Sequence, residues 1–315
     1  MSNRPTRNVA ASVRVRLLNR SRQRGEDFQF LLHRYAAERF LYRLGESFHR
    51  DRYVLKGAML YALWGGSIYR PTRDLDFTGY GSNETEAVLT TLRDVCAVTV
   101  TEDGIAFDAA TLTAEPIRDD AEYHGLRIRF QATLSGALIP MQIDIGFGNA
   151  IEPPAIEANY PTLLNSPAPR VRAYPHEAVV AEKLHAMVVL GGRNTRYKDF
   201  YDLYVLARQF QFDGPRLARA IAATFERRRT SIDIALPTAL APRFYADENR
   251  AGQWRAYLTR NALPGAPADL AAVGELIRAF LVPAWDALAR KTAFASVWPA
   301  EGPWSPAQAN EEPTT

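Results

Sequence analysis

Polar and apolar positions alternate in two short stretches that also carry acidic residues, Asp74–Phe77 and Met141–Gly148. In Asp74-Leu75-Asp76-Phe77 a period of two places both carboxylates on one face of a strand and both apolar side chains on the other. In the second stretch Met141, Ile143 and Ile145 share a face, and Gln142 and Asp144 take the opposite one. Between them, alternating or β-branched segments predict antiparallel strands at Ala97–Thr101, Ile105–Phe107, Thr111–Ile117 and Leu126–Ala132, broken by turns at Asp103-Gly104 and His124-Gly125. Ahead of the first stretch, the apolar run Tyr53-Val54-Leu55 leads into Lys56-Gly57. A short helix is expected over Ala58–Trp64, stopping at Gly65-Gly66 with Ser67 immediately after.

Helical spacing dominates elsewhere. Val9–Arg22 carries Val9, Val13, Leu17 and Leu18 near helical intervals, and Asp27–Phe48 shows a stripe of Phe28, Leu31, Leu32, Tyr35, Phe40 and Leu44. A helix after Ser82 or Asn83 should run to about Cys96. Further helices are predicted at Glu177–Leu190, Asp199–Arg208, Pro215–Arg228, Arg243–Asn261 and Asp269–Ala289. Pro153-Pro154 and the proline-rich stretch 161–175 read as a domain boundary. The expected organisation is therefore basic N-terminal helices over 1–52, a mixed α/β domain over 53–160 and a helical domain over 161–298. A disordered acidic, proline-rich tail is expected over 299–315.

Composition narrows the class. A chain of 315 residues with 47% apolar and 23% charged positions is long enough for two ordinary cores. One cysteine excludes an internal disulfide framework and any cysteine-based zinc cluster, and fits a reducing cytoplasm. The five histidines lack metal-ligand spacing. No apolar run approaches the roughly 20 residues of a membrane span, so no membrane partner is expected. Net charge is only +3, yet twelve arginines against five acidic residues precede Tyr53, and the first 24 residues hold seven arginines and no acid. Such a segment reads as a phosphate-binding arm. Lysine is confined to Lys56, Lys183, Lys198 and Lys291.

The paired carboxylates of Asp74 and Asp76 repel one another unless cations sit between them, and Mg²⁺ is a natural candidate. Asp144 is a candidate third carboxylate, with a solvated strand-end aspartate as the alternative. Asp199 and Asp202 share a helix face at i and i+3, where they can complement a helix N-terminus, serve as surface charge, or do chemistry.

The whole phrase from Lys56-Gly57 through Gly65-Gly66-Ser67 to Thr72-Arg73-Asp74-Leu75-Asp76-Phe77 resembles the first motif of the AbiEii/AbiGii toxins, nucleotidyltransferases of type IV toxin–antitoxin and phage-defence systems. The stretch AEKLHAMVVLGGRNTRYKDFYDLYVL, residues 181–206, is similar to a later motif of the same family. The resemblance implies a polymerase-β-type nucleotidyltransferase domain with a mixed sheet, followed by a helical domain. It implies two Mg²⁺ at Asp74, Asp76 and Asp144, an NTP substrate whose β,γ-phosphates meet Gly66 and Ser67, and phosphate contacts from Lys183. Asp199, with Asp202 behind it, would complete the centre, and Lys56, Thr72, Arg196 and Lys198 would line the nucleotide site. It further implies addition of nucleotides to the 3′ end of tRNA or another RNA acceptor, and a cognate AbiEi-like antitoxin. Transfer onto a protein hydroxyl and a non-catalytic RNA-binding role are the alternatives.

Overall fold

A computed structural model describes residues 8–65, 70, 72–118, 124–263 and 266–307. The chain forms two compact units, one of Met1–Asn149 with Ala155–Tyr174, the other of Ala150–Pro154 with Pro175–Thr315.

The first unit is built on a mixed seven-stranded sheet. Its strands are β1 (Tyr53–Lys56), β2 (Asp74–Gly79), β3 (Ile105–Arg118), β4 (His124–Leu134), β5 (Ala137–Phe147), β6 (Ile156–Asn159) and β7 (Arg170–Ala173), in the order β3-β4-β5-β2-β1-β7-β6. The β2–β5 and β1–β7 pairs are parallel and the rest antiparallel. Strand alternation holds as the sequence predicts: Leu75, Phe77, Ile143 and Ile145 are buried, while Asp74, Asp76, Gln142 and Asp144 on the opposite face are only partly so. Helices α1 (Val9–Arg24), α2 (Phe28–Glu46), α3 (Leu60–Gly65) and α4 (Thr85–Ala97) complete the unit, with α2 packed on β5 and β7 and α4 on β3.

Three local expectations change. Val98–Val100, β-branched enough to read as a strand, follow α4 without regular structure, because a strand exists only where another strand supplies its hydrogen bonds. The two segments around Asp108 merge into the single strand β3, with the register shifting between Asp108 and Thr113. The kink there is bonded locally, Thr111 Oγ1 donating to Asp108 O at 2.7 Å and accepting from Gln131 N at 2.9 Å. The proline-rich stretch 161–175 contains β7, hydrogen-bonded alongside β1.

Helix α2 is buried nearly all round, well beyond its apolar stripe. Glu38 and Arg39 are 1% exposed and paired at 2.9 Å. Glu38 also accepts the Leu163 N–H at 2.6 Å, and Arg39 donates to Pro167 O at 2.8 Å. Arg43 forks onto Asp103 at 2.7 and 3.2 Å. Gly45 lets the helix close on β7: a Cβ there would stand 2.6 Å from Arg170 O.

The second unit is mainly helical, with α5 (His176–Leu190), α6 (Tyr197–Gln209), α7 (Gly214–Arg227), α8 (Pro242–Tyr245), α9 (Glu248–Arg260) and α10 (Leu270–Ala289). A small antiparallel sheet joins β8 (Phe212–Asp213), β9 (Ser296–Trp298) and β10 (Ser305–Pro306). The stretch 299–307, read from composition as part of a disordered tail, instead carries β10 and packs through Trp304. The Trp304 ring stacks on Phe280 at 5.8 Å, and its indole N–H donates to Phe280 O at 2.8 Å. One aromatic anchor with its N–H satisfied outweighs the local composition. Among the described residues, no helix is long and apolar enough to cross a membrane.

Candidate active site

In the first unit, β2 lies between β1 and β5. Asp76 is in register with Lys56 on one side and Asp144 on the other. The next strand brings Arg127 opposite Asp144, and β3 brings Glu115 opposite Arg127. Paired residues project to the same side of a sheet, so Glu115, Arg127, Asp144, Asp76 and Lys56 form one row on the face opposite Leu75 and Phe77. Asp74 lies two residues from Asp76 on the same face, opposite Gln142.

The row is tightly built. Gly57 has φ +71°, and a Cβ there would fall 2.0 Å from Asp76 Oδ2, so the carboxylate rests against a position that only glycine can fill. The Lys56 ammonium reaches over Gly146, whose added Cβ would lie 3.4 Å from Nζ. Arg127 grips Asp144 with both arms of its fork, Nε to Oδ1 at 2.8 Å and Nη2 to Oδ2 at 2.7 Å. Gln142 Nε2 donates to Oδ1 as well, at 3.3 Å. The bonds from Asp144 hold the Arg127 guanidinium above its already high ordinary pKa, with the charge of Asp74 adding to them. The repulsion among the acids is thus answered in part by the protein's own cations. Asp144, open between metal ligand and solvated strand end on the sequence, is partly buried and clamped by Arg127.

Gly66 and Ser67 lie outside the described residues. Thr72, half-exposed, donates from Oγ1 to Asp74 O at 3.5 Å, the outer limit of a hydrogen bond, and so tethers the start of β2 only weakly.

In the second unit, Lys183 on α5 donates from Nζ to Asp199 Oδ1 at 3.0 Å and to Asp202 Oδ2 at 2.7 Å, both on α6. Each acid is 1% exposed. Asp199 Oδ2 also has Arg196 Nε at 2.7 Å, without an aligned N–H···O bond. The i, i+3 spacing therefore does bring the two carboxylates to one face, but that face is interior and built around one lysine. Lys198, one step round the helix, is exposed. Asn194, fully buried, accepts the Arg196 N–H on Oδ1 at 2.9 Å and so shapes the entry to α6. Further along α5, His185 accepts from Arg228 Nη1 on Nδ1 at 3.1 Å and lies 2.8 Å from Thr230 Oγ1 through Nε2. Burial, and then the Arg228 charge, push its pKa down to about 4.

Arg127 and Gln142 were missed by the sequence reading. Alternation along β4 places Arg127 on a polar face, but only the register with β5 shows that it meets Asp144. The donor set has the right chemistry for a hard cation, since Mg²⁺ binds through one or two carboxylates together with substrate phosphates. Among the described residues no group of three or more His, Cys, Asp or Glu side chains is arranged to hold a metal. Asp74 and Asp76 share the same face of β2 two residues apart.

A family model described as "Nucleotidyl transferase AbiEii toxin, Type IV TA system" matches residues 39–291. Two Helicobacter pylori crystal structures resemble the chain. JHP933 is 16% identical, with a TM-score of 0.48 over 84% of this chain and 95% of its own. A candidate nucleotidyltransferase is also 16% identical, with a TM-score of 0.44 over 85% of this chain and 99% of its own. No curated protein matches.

Proposed function

The chain belongs to the AbiEii family of nucleotidyl transferase toxins of type IV toxin–antitoxin systems, and from that premise we propose that it transfers a nucleoside monophosphate from an NTP to the 3′ end of an RNA, tRNA first of all. The observation that carries this reading is the acidic face of β2: Asp74 and Asp76 side by side, Asp76 seated on Gly57, with Lys56 opposite it on the neighbouring strand.

In this reading Asp74 and Asp76 hold Mg²⁺, which supplies Lewis acidity and positive charge to the phosphates of the substrate. Lys56 adds a fixed positive charge beside the same face. Gly66 and Ser67, assigned from their place in the motif, receive the β,γ-phosphates through backbone N–H groups and the hydroxyl. Lys183, held by Asp199 and Asp202, is assigned from its place in the second motif to neutralising phosphate charge, with Arg196 as a second cation. Thr72 and Lys198 are peripheral nucleotide contacts.

The RNA is held by arginines. Arg14, Arg16, Arg22 and Arg24 of α1 are exposed while Val13 and Leu17 are buried, with Arg22 opposite them and Arg14 and Arg16 at the flanks, so the helix presents cationic side chains outward from an anchored base. The reaction belongs in the cytoplasm, where NTPs and tRNA are found, and an AbiEi-like antitoxin opposes it. The test is incubation of the purified protein with each α-labelled NTP, total RNA and Mg²⁺. Label on RNA of tRNA size, abolished by EDTA, is expected. Label on polypeptide alone, or on nothing, overturns the proposal.

A further inference from the structure

Asp144 Oδ1 accepts from both Arg127 Nε and Gln142 Nε2, and Oδ2 accepts from Arg127 Nη2. A carboxylate oxygen offers about two lone-pair sites, so Oδ1 is full and Oδ2 is half engaged. The fork geometry makes these among the stronger hydrogen bonds a carboxylate forms. A divalent cation that takes Asp144 as a full ligand has to displace some of those donors, and its own charge repels the guanidinium beside it. Arg127 also has somewhere to go. It lies in register between Asp144 and Glu115, and the Glu115 side chain is half exposed. Glu115 already pairs with Arg129 at 2.7 Å, but a carboxylate accepts more than one donor.

We propose that Arg127 and the divalent cation are alternative occupants of Asp144. Arg127 is then a positioning residue that keeps the third carboxylate out of the metal's reach until the cation competes it away towards Glu115. The proposal rests on the reading that Asp74 and Asp76 hold the metal. It accounts for how three acids share one sheet face: Lys56 flanks them on one side and Arg127 on the other.

Mn²⁺ affinity, measured by equilibrium dialysis on the full chain without nucleotide, tests it. Arg127→Gln should bind Mn²⁺ about tenfold more tightly than the unmodified protein, equivalent to about 1.4 kcal/mol. The gain should vanish in Arg127→Gln/Asp144→Asn, because the freed carboxylate is its source. If Arg127 instead only steadies Asp144, Arg127→Gln weakens or leaves unchanged the Mn²⁺ affinity, and that result overturns the proposal. A gain that survives Asp144→Asn overturns it too. Asp74→Asn/Asp76→Asn separates the two readings: Mn²⁺ bound by the unmodified protein and lost in this variant keeps the metal site, whatever Arg127→Gln does. No Mn²⁺ binding by the unmodified protein or by Arg127→Gln removes both.

Discussion

The two groups of acids in this protein differ in how their charge is met. Asp74 and Asp76 sit half-buried on a sheet face, with Lys56 on the strand beside them and Asp144 clamped by Arg127. Asp199 and Asp202 are 1% exposed and share Lys183, with Arg196 at the entrance. A buried, paired set is bound to its lysine, since removing one partner strands a charge away from water. A partly exposed set on a rigid strand can exchange its counter-ions for a ligand. The first group therefore has the character of a binding site and the second that of a support for one cation. Substitution should move activity alone in the first, and stability together with activity in the second.

The largest expected effect is on transfer. Asp74→Asn or Asp76→Asn should lower the rate by about a thousandfold or more, while thermal melting stays within a few degrees, because the change removes mutual repulsion from a partly exposed face. A melting temperature that collapses along with activity would erase the contrast. Next comes Lys183→Ala, which leaves two carboxylates buried without their cation. It should lower stability by about 3–5 kcal/mol in denaturant unfolding and the rate by at least about a hundredfold. Lys183→Arg separates these effects: most of the stability returns with the charge, but transfer stays impaired because a planar fork does not replace a compact ammonium. Full activity in the arginine variant would make Lys183 purely structural.

Acid should single out the second unit. Burial, reinforced by Arg216 at His176 and Arg228 at His185, pushes both histidines down to about 4. Their unfolded pKa is 6.5, so between pH 6.5 and about 4 the unfolded chain binds more protons than the folded one. Stability is complete above 6.5 and falls with pH by about 1.4 kcal/mol per unit for each histidine. His185→Gln, which can retain a donor and an acceptor, should flatten that slope in pH-dependent unfolding, whereas an unchanged slope would clear His185 of the effect. The smallest effect belongs to α1. Arg16→Gln with Arg22→Gln should leave NTP binding intact and reduce the log–log salt slope of RNA binding by roughly 0.7–0.9 for each phosphate that is no longer neutralised. An unaltered slope would move the RNA-binding surface elsewhere.

Much of the site was legible because side-chain direction along a strand is local. The alternation of Asp74-Leu75-Asp76-Phe77 and of Met141–Ile145 holds in the folded protein because a strand's backbone dihedrals set it without reference to neighbours. The i, i+3 relation of Asp199 and Asp202 held for the same reason, as did the existence of α1, α2, α5 and α6. What lies across a strand is a different kind of information. That Asp144 meets Asp76, and Arg127 meets Asp144, follows from hydrogen bonds between chain segments that are distant in sequence, and no local pattern encodes register. Burial of charge was equally out of reach. Glu38, Arg39, Asp199 and Asp202 are each buried, because the partners that satisfy them become neighbours only in the fold. Sequence alone determined which side chains share a face; tertiary pairing decided which charges meet there, since side-chain direction is a property of one residue's backbone and charge compensation a property of two segments brought together.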